Sequence, residues 1–221
     1  MNLSSDQIRW IVIYVGVLIA SVAIHEFGHA FMADRLGDDT PRRQGRVTLN
    51  PLAHADPIGT LLLPIIGSVY GGGGFGWGKP VQWQPSRVNR KWKMSTAQIL
   101  VAISGPAMNL ILGTVLELVR AILIGKNVII AGTMADQILG FAGMTNFVLF
   151  FFNLIPAPPL DGGHVAEHLM PYKYRPHFDA YAKYGMFVVM AVAFIPPIAQ
   201  IFLVPASFCA NHVYTVFSHL F

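Results

Sequence analysis

The chain has 221 residues, of which 54% are hydrophobic and 12% charged, with a mean hydropathy of +0.53. That charge content is about half that of an ordinary soluble domain, which excludes a water-solvated enzyme and makes lipid the expected solvent. A formal charge of +4 and a pI near 9.3 accompany no nucleic-acid motif, and basic residues beside apolar segments set membrane orientation instead, so no nucleic-acid partner is expected.

The first predicted element is an apolar helix over 8–34. It is longer than the core of a cleavable signal peptide and carries polar groups deep inside it, so it reads as a retained membrane helix. Within it stands His25-Glu26-Phe27-Gly28-His29, an H-E-x-x-H motif. On a helix its two histidines lie on one face, one turn apart, able to share one ion. Glu26 is beside that face, where a general base is needed. Two histidines and a carboxylate in a lipid-facing run are costly, and such groups mark function. Helical rise puts His29 roughly 9 Å from Arg35, so the site is expected inside the membrane but near one interface.

The region 57–94 follows, with a 13-residue apolar run at 58–70 between Pro57 and Gly71-Gly72-Gly73-Gly74. The run is short for a span of about 30 Å. Of the 15 Lys and Arg, four fall in 35–56, five in 71–93 and three in 170–183. The positive-inside rule places all three segments in the cytoplasm. A crossing at 58–70 would separate two of them, so a re-entrant loop or short β element is expected, with a short span as the competing reading. Further helices are predicted over 96–124, 135–154 and 181–201, with an apolar tail over 202–221. Pro196, Pro197 and Pro205 allow a kink, a boundary or a helix pair there, and the path of the tail stays open.

The expected fold is therefore an all-α membrane protein, a polytopic bundle of about four to six transmembrane helices, with 1–221 as a single domain and no soluble block of domain size. Cys209, the one cysteine, reads as inert packing. Trp77, Trp83 and Trp92 read as interface anchors.

Catalytic zinc usually takes three protein ligands and leaves one position open. Candidates for the third are His54, Glu117, Asp161, His164 and His168. Asp161 is favoured because it stands in the Pro- and Gly-rich run 153–163, which ends a helix that returns to the side of the motif; helix capping is the competing reading, and on residues alone the two stand level. Glu117 reads as an ion-pair partner of Arg120 at i+3, His54 as a loop histidine bonded to Asp56, and Asn109 as a helix-packing residue beside Gly105. His168, His177, His212 and His219 have no spacing that suggests a site.

HEFGH and NLIPAPPLDGG together, with NPLAHADPIGTLLLP, GWGKPVQWQP and SGPAMNL in this order, resemble the site-2 protease family of intramembrane zinc metalloproteases, peptidase family M50, of the compact bacterial type. The resemblance covers most of the chain. It implies one zinc held by His25, His29 and Asp161, water activation by Glu26, and a role for Asn153 beside the reacting carbonyl, with hydrogen bonding to the Pro-rich backbone as the rival reading of Asn153. It also implies substrates that are transmembrane segments of other proteins, cut near or within the bilayer of a bacterial inner membrane, with the active site nearer the cytoplasm. Many relatives carry a PDZ or CBS domain and this sequence shows neither, so a separate regulatory or substrate-presenting protein, or the membrane itself, is expected to select substrates. An extended substrate is expected to add as a strand along the edge between Gly59 and Gly74. Rival classes are a metal-ion transporter and an inactive membrane scaffold. A transporter is disfavoured by the lack of a second copy of the motif, and a scaffold by the intact His25, Glu26, His29 and Asp161.

Overall fold

A computed structural model describes residues 3–69 and 76–221. Helix α1 (Ser5–Arg35) begins with a capping box, in which the Ser4 hydroxyl accepts from Gln7 N at 3.2 Å and the Gln7 side chain accepts from Ser4 N at 2.9 Å. This satisfies two of the free donors at a helix start. Its first half is largely exposed, whereas Ser21, Val22, Ala23, His25, Glu26, Gly28, Ala30 and Ala33 are buried against the bundle. A one-turn helix α2 (Thr40–Arg43) follows. The helix over Pro57–Val69 starts with π-type turns and continues as α3 (Leu63–Val69).

Then come α4 (Met94–Gly125), α5 (Met134–Asn153), α6 (Asp161–Leu169), α7 (Arg175–Ala182), α8 (Gly185–Phe194) and α9 (Pro196–Ser218). Among the described residues, α1, α4, α5 and α9 are long and apolar enough to cross a membrane. They alternate in direction. Gly28 and His29 meet Ser104 and Val101 of α4, Glu117 and Arg120 meet Gly143 and Gly140 of α5, and Phe152 stacks edge-on against Phe202 of α9 at 5.3 Å. The end of α1 and the starts of α4 and α9 therefore share one side with the end of α5.

Small residues bring these helices close. A Cβ on Gly28 would lie 2.5 Å from the Ser104 carbonyl, and one on Gly143 would lie 2.3 Å from Glu117 Oε1. Close approach of this kind is how helices associate where lipid supplies no hydrophobic drive between them. Toward the far end, Arg120 joins α4 and α5 through Asp136 at 2.6 Å and Glu117 at 3.3 Å, and lies 4.4 Å over the Tyr214 ring of α9. The i+3 pairing expected for Glu117 is present, with Asp136 as an added partner.

Two expectations change, and the open path of the tail is defined. Residues 58–69 are helical, and no strand occurs among the described residues; the Gly71–Gly74 part of the expected loop or β element lies outside them. Trp77 lies beside the start of this helix, its N donating to Gly59 O at 3.2 Å and its carbonyl accepting from the Thr60 hydroxyl at 2.9 Å. The helix expected over 181–201 is broken at Ile195, because Pro196 and Pro197 form the first turn of α9, where proline needs no N–H partner. The tail is helical to Ser218.

Candidate active site

His25 and His29 project from the second half of α1 with their Nε2 atoms 3.1 Å apart. Each ring is oriented through its other nitrogen: His25 Nδ1 donates to Asn109 Oδ1 at 2.7 Å and His29 Nδ1 donates to the Val101 carbonyl at 2.8 Å. With both Nδ1 atoms donating, both Nε2 atoms carry lone pairs. They face a carboxylate, since Asp161 Oδ2 is 3.2 Å from His25 Nε2 and Oδ1 is 3.4 Å from His29 Nε2. Two imidazole lone pairs and a carboxylate converging within 4.8 Å are all electron donors. Asp161 Oδ2 is buried without a hydrogen-bond partner. A cation satisfies this donor set, and two nitrogens with one oxygen suit zinc.

The backbone explains how the cluster is reached from three places in the chain. Gly105 faces the histidines so closely that a Cβ there would lie 2.3 Å from His29 Nε2. Pro106, next in α4, interrupts the helix ladder, and the Val101 carbonyl near it accepts both His29 and the Ser104 hydroxyl at 2.6 Å. After α5, the run Leu154–Leu160 turns back and Gly162 and Gly163 press on it, with Cβ positions 2.3 Å from Leu154 O and 2.5 Å from Pro158 N. Asp161 is the first residue of α6, the cap position belongs to Leu160, and no side-chain cap bond forms. The capping role weighed for Asp161 is thus not used.

Glu26 is buried next to the pair, and its Oε2 accepts from Val81 N at 3.0 Å. The segment 76–84 carries this contact. Trp77, Lys79 and Val81 turn their main-chain groups inward, Lys79 N donating to His54 O at 2.8 Å and Arg46 donating to the carbonyls of Ala53 and Lys79. Gly78, Pro80 and Gln82, which alternate with these residues, make no main-chain hydrogen bond among the described residues. Gly78 runs tight against α1, its Cβ position 2.5 Å from Val22 and 3.2 Å from Glu26 Cγ.

Other candidates lie elsewhere. His164 is exposed and 3.9 Å from Glu167, and neither it nor His168 joins the cluster. His54 is buried, but its Nε2 donates to Thr48 O at 2.8 Å, while Asp56 caps the following helix through Ile58 N and Gly59 N; the bond expected between His54 and Asp56 is not formed. Asn153 sits in the last turn of α5 with Nδ2 on Leu149 O at 2.9 Å. Asn109 is the residue that sequence reasoning undervalued: it is fully buried and bonded to His25 rather than serving only to pack beside Gly105. A buried asparagine in a membrane helix, one turn from Gly105, was the signal available.

A helical membrane bundle enclosing an H-E-x-x-H pair, a converging carboxylate and an adjacent glutamate defines a membrane-embedded metallohydrolase. Residues 118–196 match the model of peptidase family M50. YwhC of Bacillus subtilis, named as a zinc metalloprotease, is 40% identical over 195 residues, covering 85% of this chain and 82% of YwhC. Rip2 of Mycolicibacterium smegmatis, similarly named, is 36% identical over 204 residues, or 88% of this chain and 73% of Rip2. The zinc metalloprotease MJ0392 of Methanocaldococcus jannaschii is 26% identical over 174 residues, covering 79% of this chain and 39% of that protein. No solved structure matches. The chain belongs to peptidase family M50, the site-2 protease family, and is a multi-pass membrane zinc metalloprotease.

Proposed function

We propose that His25, His29 and Asp161 hold one zinc ion and that the protein hydrolyses peptide bonds in or near transmembrane segments of other membrane proteins. The observation that carries this reading is the convergence of two oriented imidazole lone pairs and an orphaned carboxylate oxygen within the bundle. Zinc held there would supply Lewis acidity, enough for a bound water to lose a proton near neutral pH. Glu26 receives that proton on the carboxylate steadied by Val81 N–H and returns it to the departing amine nitrogen. Asn153 keeps one amide hydrogen beyond its bond to Leu149 O, and that hydrogen is available to the developing oxyanion.

A helical substrate must unwind before cleavage, because helical hydrogen bonds occupy its carbonyls. The unpaired edge at Gly78, Pro80 and Gln82 passes Glu26 and offers those groups new partners by strand addition, a better-placed edge than the helical 58–69 segment. Two of the four membrane-crossing ends on the site's side, the end of α1 and the start of α4, adjoin the Lys- and Arg-rich segments 35–56 and 71–93, which supports a cytoplasmic orientation in a bacterial inner membrane. Substrate choice then rests with a separate presenting or regulatory protein or with the bilayer. Comparing membrane fragments from cells carrying wild-type and Glu26→Gln protein tests this: shortened transmembrane fragments should disappear in the variant, and an unchanged fragment set would contradict the proposal.

A further inference from the structure

Behind His25 lies a hydrogen-bond chain that the hydrolytic scheme does not use. Ser21, Asn109 and Asn146 are all buried to within 1% of full enclosure, one each on α1, α4 and α5. Asn146 Nδ2 donates to Ser21 Oγ at 2.9 Å and to the Ala142 carbonyl at 2.9 Å. Its two amide hydrogens are spent, so Oδ1 faces Asn109. Asn109 Nδ2 in turn donates to that Oδ1 at 2.9 Å and to the Ser21 carbonyl at 3.1 Å. Only Asn109 Oδ1 remains, and it faces His25 Nδ1.

The direction of this chain is set by chemistry. The carbonyls of Ser21 and Ala142 can only accept. Turning the Asn109 amide over would put its oxygen against the Ser21 carbonyl, and turning Asn146 over would put its oxygen against the Ala142 carbonyl. In a dry interior either clash leaves polar groups unpaired, which is expensive. The relay therefore runs one way, from α5 through α4 to the histidine.

We infer that Asn109 and Asn146 are positioning residues that oblige His25 to carry its proton on Nδ1 and present the Nε2 lone pair to zinc, Asn146 acting through Asn109. This rests on the reading of His25 as a zinc ligand. Two asparagines needed only to join helices could satisfy one another; here the last acceptor is aimed at a metal-binding ring, and outer partners of that kind tune metal affinity.

The test is zinc affinity of the purified full chain, by chelator competition, with the visible spectrum of the Co(II)-substituted protein. Asn109→Leu removes the acceptor for His25, Asn146→Leu removes the step behind it, and Asn146→Asp keeps an acceptor facing Asn109 and a proton to donate. Affinity is expected to fall about 10- to 100-fold in both Leu variants, with an altered Co(II) spectrum, and to recover most of the loss in Asn146→Asp. Thermal unfolding of the metal-free forms controls for folding. Leu variants that lower only metal-free stability, with wild-type affinity and spectrum, would overturn the relay. If a Leu variant does not fold, Ser21→Ala, which removes one acceptor of Asn146, should still shift affinity severalfold, and no shift would count against the proposal. His25→Ala separates the two claims: zinc retained there refutes the ligand assignment, whereas zinc lost there but kept in the Leu variants refutes the relay alone.

Discussion

Gly105 on α4 lies against His29 on α1 so closely that a Cβ on the glycine would be 2.3 Å from His29 Nε2 and 2.9 Å from His25 Cε1. The absent side chain is what leaves the two imidazoles room to turn toward Asp161. Gly105→Ala should therefore push the rings apart and lower zinc affinity at least 100-fold while helical content by circular dichroism stays at the wild-type level. Wild-type affinity in that variant would show that the histidines can move aside without cost.

Glu26 is buried and held by Val81 N–H, but it is not among the converging metal donors. Glu26→Gln keeps the size and an acceptor oxygen and removes the base. Cleavage of a reconstituted membrane substrate should fall by about 10²- to 10⁴-fold, the usual worth of a general base, with zinc content unchanged. Loss of zinc together with activity would assign Glu26 to the metal instead.

The cluster of Glu117, Arg120 and Asp136 is predicted to be a structural clamp. Arg120→Met should lower stability by about 3–5 kcal/mol, because it leaves buried carboxylates without their cation. The triple variant with Glu117→Gln and Asp136→Asn should recover much of that loss. Thermal unfolding in detergent reads both; equal losses in the single and triple variants would deny the clamp its ionic character.

Burial holds the His54 imidazole below its ordinary value of 6.5, with the nearby Arg46 charge acting the same way against the Thr48 carbonyl. A depressed folded-state value means that the unfolded chain binds the proton first as pH falls. The contribution of neutral His54 is thus present above about pH 6.5 and is lost as pH falls below it. His54→Gln, which keeps a donor for Thr48 O, should show a shallower loss of thermal stability between pH 6.5 and 5 than the wild type. Parallel curves would remove His54 from the acid sensitivity of this loop.

Much of this arrangement was legible in the residues. The first apolar run and the helices over 96–124 and 135–154 correspond to α1, α4 and α5 within a few residues, because long uninterrupted apolar segments leave the backbone no other way to satisfy itself in lipid. His25 and His29 follow from helical spacing alone. The meeting with Asp161 was suggested by the Pro- and Gly-rich return, although only the folded chain brings the carboxylate to the rings. Other features depended on tertiary contacts that spacing cannot encode. Asn109 acquires its partner from a helix 84 residues away in sequence. The run at 58–69 reads as too short for a span and is expected as a re-entrant loop or short β element, yet it is helical, with Asp56 capping it at Ile58 and Gly59. Pro196 and Pro197 allow a kink, a boundary or a helix pair, and the boundary that forms, with both prolines in the first turn of α9, depends on where the preceding helix ends.

The most direct test of the central claim is the zinc content per chain of purified Asp161→Ala protein, measured beside wild type by elemental analysis after removal of loosely bound metal. One zinc per chain is expected in the wild type and far less than one in the variant, since the two imidazoles alone leave the site a ligand short. A full complement of zinc in Asp161→Ala would contradict the assignment of His25, His29 and Asp161 as the metal site.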